Sequence, residues 1–180
     1  MSRPLGILGL AVVPLEATHD VDSFDCGSGL HNTYLTRYAL AEQKSAKLRT
    51  YVQIEDTRVI GYYSVGAGVV EATLSRDCID RRQRRQVIPV LVVVRIAVDR
   101  RRQRHGIGGA LLRQVEARGA CGAGVIGARA VVAAAIGREA RSFFVKHGYE
   151  PLPGDRYRLY LPLIIWRASL AAPCLPLRST

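Results

Sequence analysis

Seven consecutive residues, Gln103-Arg104-His105-Gly106-Ile107-Gly108-Gly109, stand where an apolar run gives way to a helical pattern, and their types suit the capture of a phosphate. At a helix start several backbone N–H groups lack internal partners, and the helix dipole favours an anion there. Gly106 and Gly108 let the backbone approach a phosphate with no Cβ in the way. Gln103 and Arg104 can add side-chain donors, while His105 reads as a solvent-facing turn residue. A bare G-x-G is also what an ordinary turn looks like. The lysine and the serine or threonine of a P-loop are missing, which excludes that route to ATP hydrolysis, and the dinucleotide fingerprint G-x-G-x-x-G breaks at Leu111.

The elements on either side must position that turn. Val87 to Val98 is a β-branched run interrupted only by Pro89 and Arg95, the pattern of a strand buried on both faces. A helix is expected from the glycines to about Arg118, then a loop over Ala120 to Gly124 and a second buried strand over Val125 to Ala135. Residues 5 to 13 read as a first strand. Residues 28 to 42 read as a helix, with Leu30, Tyr34, Leu35, Tyr38 and Ala39 at helical spacing and Ser28 as its cap. Leu48 to Glu55 and Val59 to Gly66 flank Asp56-Thr57 as a β-hairpin. Residues 75 to 86 are a charged loop or short helix, Gly137 to His147 is helical and stops at Gly148, and Arg156 to Leu163 alternates as a last strand. The remainder carries no clear period beyond a strand continuation.

The chain has 180 residues, of which 48% are hydrophobic and 23% charged, which suits one folded domain rather than disorder. Its 26 basic residues outnumber the 15 acidic ones and leave a net charge of +11, nearly all of it arginine. The planar guanidinium fork matches phosphate oxygens, so the surplus favours a polyanionic partner, nucleic acid or an acidic protein. Arginine in place of lysine is also what a GC-rich genome writes, but that explains the choice and not the surplus. The cysteines 26, 78, 121 and 174 form no C-x-x-C pair, and Cys26 beside His31 makes no zinc site. They read as reduced thiols of a cytoplasmic protein. The N-terminal apolar run is too short to cross a bilayer.

Several spaced motifs, in order, resemble those of GNAT N-acetyltransferases. Gln103 to Gly108 is similar to the Q/R-x-x-G-x-G/A signature that follows the fourth strand of that family. Phe24 to Leu40, Gly61 to Ser64, Ile88-Pro89-Val90 with Arg95 to Asp99, and Ala140 to Tyr149 resemble segments of the acetyltransferase toxins of type II toxin–antitoxin systems, the TacT-like and AtaT-like proteins. The likeness spans about residues 10 to 163. It implies an α/β (α+β) fold, a mixed twisted sheet of about six to seven strands flanked by about four helices. Residues 1–163 would form the transferase domain and 164–180 a strand extension and tail.

The resemblance also implies an activity, transfer of acetyl from acetyl-CoA to the α-amino group of aminoacyl-tRNA, which blocks translation. It implies a ribbon-helix-helix antitoxin as partner, and a homodimer. By the same analogy the backbone of Ile96, Ala97 and Val98 pairs with the pantetheine arm, and residues 104 to 109 hold the pyrophosphate. The family's catalytic tyrosine falls at Phe144, which has no hydroxyl to protonate a thiolate, so Phe144 reads as an inactivating substitution. Ala134 and Gly137 replace a histidine and a polar residue common in these toxins.

An α-amine, with a reference pKa of roughly 8, is appreciably neutral at cellular pH, whereas a lysine at roughly 10.4 would need a dedicated base. Glu71 is the one acid between Gly61 and Arg76, and as a base it competes with a plain reading as a solvated strand end. Arg76, Arg81, Arg82, Arg84 and Arg85 form one cationic cluster and Arg100, Arg101, Arg102 and Arg104 another. Each is a tRNA backbone footprint, a solvated loop or an antitoxin's docking surface. Arg95, alone within a buried strand, requires an anionic partner or a cleft. Tyr62, Tyr63 and Tyr149 read as core. A GNAT enzyme acting on a small-molecule or protein amine, and a CoA-binding regulator in complex with an antitoxin, are the competing functions.

Overall fold

The computed structural model describes residues 12–71 and 87–163. Arg76, Arg81, Arg82, Arg84, Arg85, the charged segment around them, the start of the expected first strand, Cys78, Cys174 and the tail lie outside the described residues.

A seven-stranded sheet in the order β1-β2-β3-β4-β5-β7-β6 organises the chain. Its strands are β1 (Val12–Pro14), β2 (Arg49–Glu55), β3 (Arg58–Glu71), β4 (Val87–Val98), β5 (Ala130–Ala134), β6 (Glu150–Leu152) and β7 (Asp155–Pro162). Only β4 and β5 run parallel; the other neighbours are antiparallel. The connection between that parallel pair is α3 (Ile107–Ile126), as a parallel crossover requires. The helices α1 (Gly29–Thr33) and α2 (Ala39–Lys44) are joined by a π-helical turn, Tyr34–Tyr38, into one body, and α4 (Arg138–Lys146) follows β5.

Each face of the sheet buries apolar side chains. Tyr63, Val93, Leu111, Val115 and Phe144 pack between the sheet and α3 and α4. Leu15, Phe24, Tyr34, Leu35 and Tyr62 pack on the opposite face beneath α1 and α2. Tyr62, Tyr63 and Tyr149 are all buried, as their core reading expects.

Three expectations are corrected. The helix does not end near Arg118 with a loop over Ala120 to Gly124; α3 continues to Ile126, and β5 begins at Ala130 rather than Val125. Alanines sustain the helix, and Gly119 is a packing glycine, because a Cβ there would come within 3.1 Å of Val131 Cγ2 on the strand beneath. The stop is Gly127, at φ +69°, whose N–H donates to the Ala123 carbonyl. In the first helical body Leu30 and Tyr38 face outward while Tyr34, Leu35 and Ala39 are buried, since the wider π turn shifts the phase of the apolar stripe. Ser28 precedes α1 without a side-chain cap; its hydroxyl meets His31 Nδ1 at 3.0 Å. The short strand β6 carries too few residues for its period to be read.

Candidate functional site

The site begins with a strand that loses one neighbour. β4 pairs with β3 along its whole length but with β5 only from Val90 to Val93. A bulge at Val94, between the pairs Val65–Val93 and Ser64–Arg95, bends β4 away at that point. Beyond it, Arg95 to Val98 keep β3 on one side and present an open edge on the other. An extended ligand with amide groups can add itself there as a strand.

A buried carboxylate folds the chain back at the end of β4. Asp99 is fully buried; one of its oxygens accepts the Arg101 N–H at 2.9 Å, and the other accepts the Asp25 N–H and Arg58 Nη2, each at 3.2 Å. A 3-10 turn, Arg100–Arg102, follows. Gln103 then takes a role different from the expected phosphate donor. Its Nε2 donates to the carbonyls of Cys26 and Val98, both at 3.0 Å, and so fastens the turn to the rest of the fold. Arg104 at φ +63° and Gly106 at φ +80° turn the backbone into α3. The first intrahelical bond is Ala110 N–H to Gly106 carbonyl, leaving the amides of Ile107, Gly108 and Gly109 without acceptors inside the helix. His105 is exposed, with Nδ1 at 2.7 Å from its neighbour Gln103's carbonyl.

Helix α4 forms the other wall. A Cβ on Gly108 would lie 3.3 Å from the Phe143 ring, and one on Gly109 would lie 2.7 Å from His147 Nε2. These two glycines therefore also admit α4, a role their sequence context does not announce. Phe143 and His147, whose rings are 4.5 Å apart, face the start of α3, and their i, i+4 spacing is the signal that could have found the pair. The His147 imidazole is held by a 2.8 Å hydrogen bond between Nδ1 and the Phe143 carbonyl. Phe144 itself is buried, its ring 5.4 Å from those of Phe143 and Tyr149.

Beside Tyr149 sits a buried acid. Glu116 of α3 is only 3% exposed, and burial pushes its carboxyl up to about 7 against weaker lowering by Tyr149 and Arg113. The Tyr149 hydroxyl faces this carboxyl without meeting strict hydrogen-bond geometry, and burial together with Glu116 raises its pKa.

The basic residues divide. Arg100 pairs with Asp25 at 2.8 Å, Arg58 with Asp99 and Arg102 with Glu55, whereas Arg101 and Arg104 are exposed. Arg95 is half-buried on the face opposite α3, its guanidinium 4.3 Å from the Tyr34 ring centre. Glu71 ends β3 at an exposed position, bordering a cleft with Val87, Leu152, Asp155 and Arg158. Among the described residues no three His, Cys, Asp or Glu side chains gather as metal ligands, and no helix is long and apolar enough to cross a membrane.

The acetyltransferase (GNAT) domain family matches residues 46–151. A tRNA-acetylating toxin of Mycobacterium tuberculosis is 36% identical over 142 residues, covering 79% of this chain and 85% of that protein. A tyrosine-to-phenylalanine mutant of the toxin AtaT, bound to acetyl-CoA and to the C-terminus of the antitoxin AtaR, superimposes with a TM-score of 0.79 at 24% identity, over 91% of this chain and 99% of that one. AtaT complexed with acetyl-methionyl-tRNAfMet gives 0.80 at 23% identity, over 89% and 98%.

Proposed function

The chain belongs to the GNAT acetyltransferase family, and from that premise we propose that it is the toxin of a toxin–antitoxin pair, acetylating the α-amino group of aminoacyl-tRNA with acetyl-CoA. The observation that carries the reading is the continuity of the open β4 edge, Arg95 to Val98, with the uncommitted amides that start α3.

The residues present fit acetyl-CoA. Its pantetheine amides match the edge without a neighbouring strand at Ile96, Ala97 and Val98, where the Val98 carbonyl is already taken by Gln103, and its diphosphate matches the amides of Ile107, Gly108 and Gly109 beside exposed Arg104. Gln103 contributes by fixing the turn, and the backbone freedom of Gly106 aims it. The coenzyme supplies an activated acetyl thioester. The protein's part is to hold that group at the bulge, exclude water, and let a neutral amine approach.

The acceptor amine needs no strong base if it is an α-amine. That agrees with a site in which Glu116, the acid beside Tyr149, is buried rather than open to an acceptor. The departing thiolate needs a proton, and Phe144 offers none. We read this chain as a slow transferase for that reason. Supporting an RNA acceptor are the net charge of +11 and the tRNA substrate of the 36%-identical relative. In this reading the arginines around 76 to 85 extend the RNA contact, an antitoxin of the ribbon-helix-helix class covers the toxin, two copies associate, the domain ends near residue 163, and the protein acts in the cytoplasm.

The test is acetyl transfer from labelled acetyl-CoA to charged tRNA, to uncharged tRNA and to a lysine peptide, with the chain as it stands and with Phe144→Tyr. Label on charged tRNA alone, strengthened in the variant, is the expected result. Label on the peptide, or none with either protein despite acetyl-CoA binding, overturns it. The absent hydroxyl at 144 favours a second reading, a CoA-binding regulator, which the latter outcome would select.

A further inference from the structure

Beside the coenzyme edge lies a half-buried cation, Arg95, that takes no part in holding acetyl-CoA. Arg95 lies on β4 immediately after the bulge at Val94, where the strand parts from β5. Ile96 and Val98 pack toward α3 and α4, while Ala97 packs on the opposite face with Phe24, Tyr34 and Tyr62. Arg95 shares that second face, its guanidinium held 4.3 Å from the Tyr34 ring centre. Tyr34 is itself fixed, because its hydroxyl donates to Glu42 at 3.0 Å.

What Arg95 lacks is an anion. Among the described residues no carboxylate forms a salt bridge with it, and its buried Nε has no hydrogen-bond partner. Glu42 accepts from Tyr34, and the flanking titratable group, His31, is shifted downward by burial and by Arg95 itself. A half-buried guanidinium with an orphaned donor is costly, and a ring face compensates only part of that cost.

Packing indicates the face from which the acceptor comes. With acetyl-CoA held along the open edge of β4, an amine would reach it from one face of the sheet or the other. The α3–α4 side is closed by the core that holds Val93 and Phe144. The remaining approach passes Arg95 and the first helical body.

On the reading that the acceptor is aminoacyl-tRNA, we propose that Arg95 is its anchor, binding the phosphodiester that joins the last two nucleotides. The α-carboxyl of a charged tRNA is esterified and carries no charge, so that phosphodiester is the anion nearest the reacting amine. A planar fork with a free edge suits two phosphate oxygens. Tyr34 is a positioning residue that keeps the fork aimed.

The probes are two non-hydrolysable acceptors, cytidylyl-adenosine carrying a 3′-aminoacyl amide, which has the phosphodiester, and adenosine carrying the same amide, which lacks it. Phe144→Tyr protein is compared with Phe144→Tyr, Arg95→Gln and Phe144→Tyr, Arg95→Lys by acetylation kinetics and by calorimetry. The expected result is a KM for the dinucleotide about 10-fold higher with Arg95→Gln, kcat nearly unchanged, partial rescue by Arg95→Lys, and no change for the nucleoside or for acetyl-CoA affinity. Equal impairment on both probes, or none on either, overturns the anchor while the acceptor class stands. If the parent acetylates neither probe nor charged tRNA, the acceptor class is wrong and the anchor falls with it.

Discussion

The carboxylate of Asp99 and the guanidinium of Arg58 meet at 3.2 Å across β4 and β3, and the same carboxylate oxygen also takes the Asp25 N–H at 3.2 Å. One buried acid thus ties three parts of the chain together at the point where β4 gives way to the turn before α3. Removing it leaves Arg58 and two backbone donors short of an acceptor. Asp99→Ala is expected to cost about 3 kcal/mol in denaturant unfolding and to weaken acetyl-CoA binding. Asp99→Asn, which keeps one of the two acceptor oxygens, loses less of both.

Gly106 and Gly108 separate two reasons for being glycine. At Gly106, φ is +80° with nothing within 4 Å of a built Cβ, so Gly106→Ala is expected to cost about 1 kcal/mol through backbone strain alone. Gly108 has ordinary backbone but faces the Phe143 ring at 3.3 Å. Gly108→Val is expected to push α4 away and reduce acetyl-CoA affinity by about 10-fold or more, and Phe143→Ala in the same chain restores part of the space. Calorimetric titration with acetyl-CoA reads both effects.

Glu116 makes stability depend on pH. Its folded pKa, about 7, stands above the ordinary 4.5. The protonated form is therefore the one the fold prefers, and stability is fully present below about pH 4.5 on this account and is lost as pH rises through 7. The shift corresponds to roughly 3 kcal/mol. Glu116→Gln is expected to be more stable than the parent at pH 8 and to remove the fall between pH 5 and 8, as followed by urea unfolding.

On the proposed reading, Phe144→Tyr supplies the phenolic hydroxyl that the departing thiolate lacks. A positioned general acid is worth on the order of 100-fold or more in rate. The variant is expected to raise kcat by about that factor with little change in KM for acetyl-CoA, measured by release of free thiol. An unchanged kcat would remove residue 144 from the chemistry.

The glycine turn that opens α3 was legible because its ingredients are local: a β-branched run, two glycines with the right spacing and a helical pattern within two dozen residues. β4 itself, Val87 to Val98, is found where its composition places it, although Val87, Pro89 and Val94 are exposed and the strand is not buried on both faces as expected; the hairpin turn at Asp56 is also in place, its φ of +57° fitting the short polar residue there. The extent of α3 was misjudged because glycine reads as a breaker. At Gly119 it serves the close approach to Val131, a fact about a strand more than ten residues away.

Sequence by itself determined the family, the strand–glycine turn–helix unit and the absence of a hydroxyl at 144, since each follows from residue types in order along the chain. Tertiary structure alone decided the rest. It committed the Gln103 side chain to two carbonyls instead of a ligand, set Phe143 and His147 against the glycines of α3, and left Arg95 over Tyr34 with no anion to meet. The physical reason is that a side chain's donors and charge are spent on whatever lies within about 3 Å, and which groups lie there is fixed by the packing of distant segments.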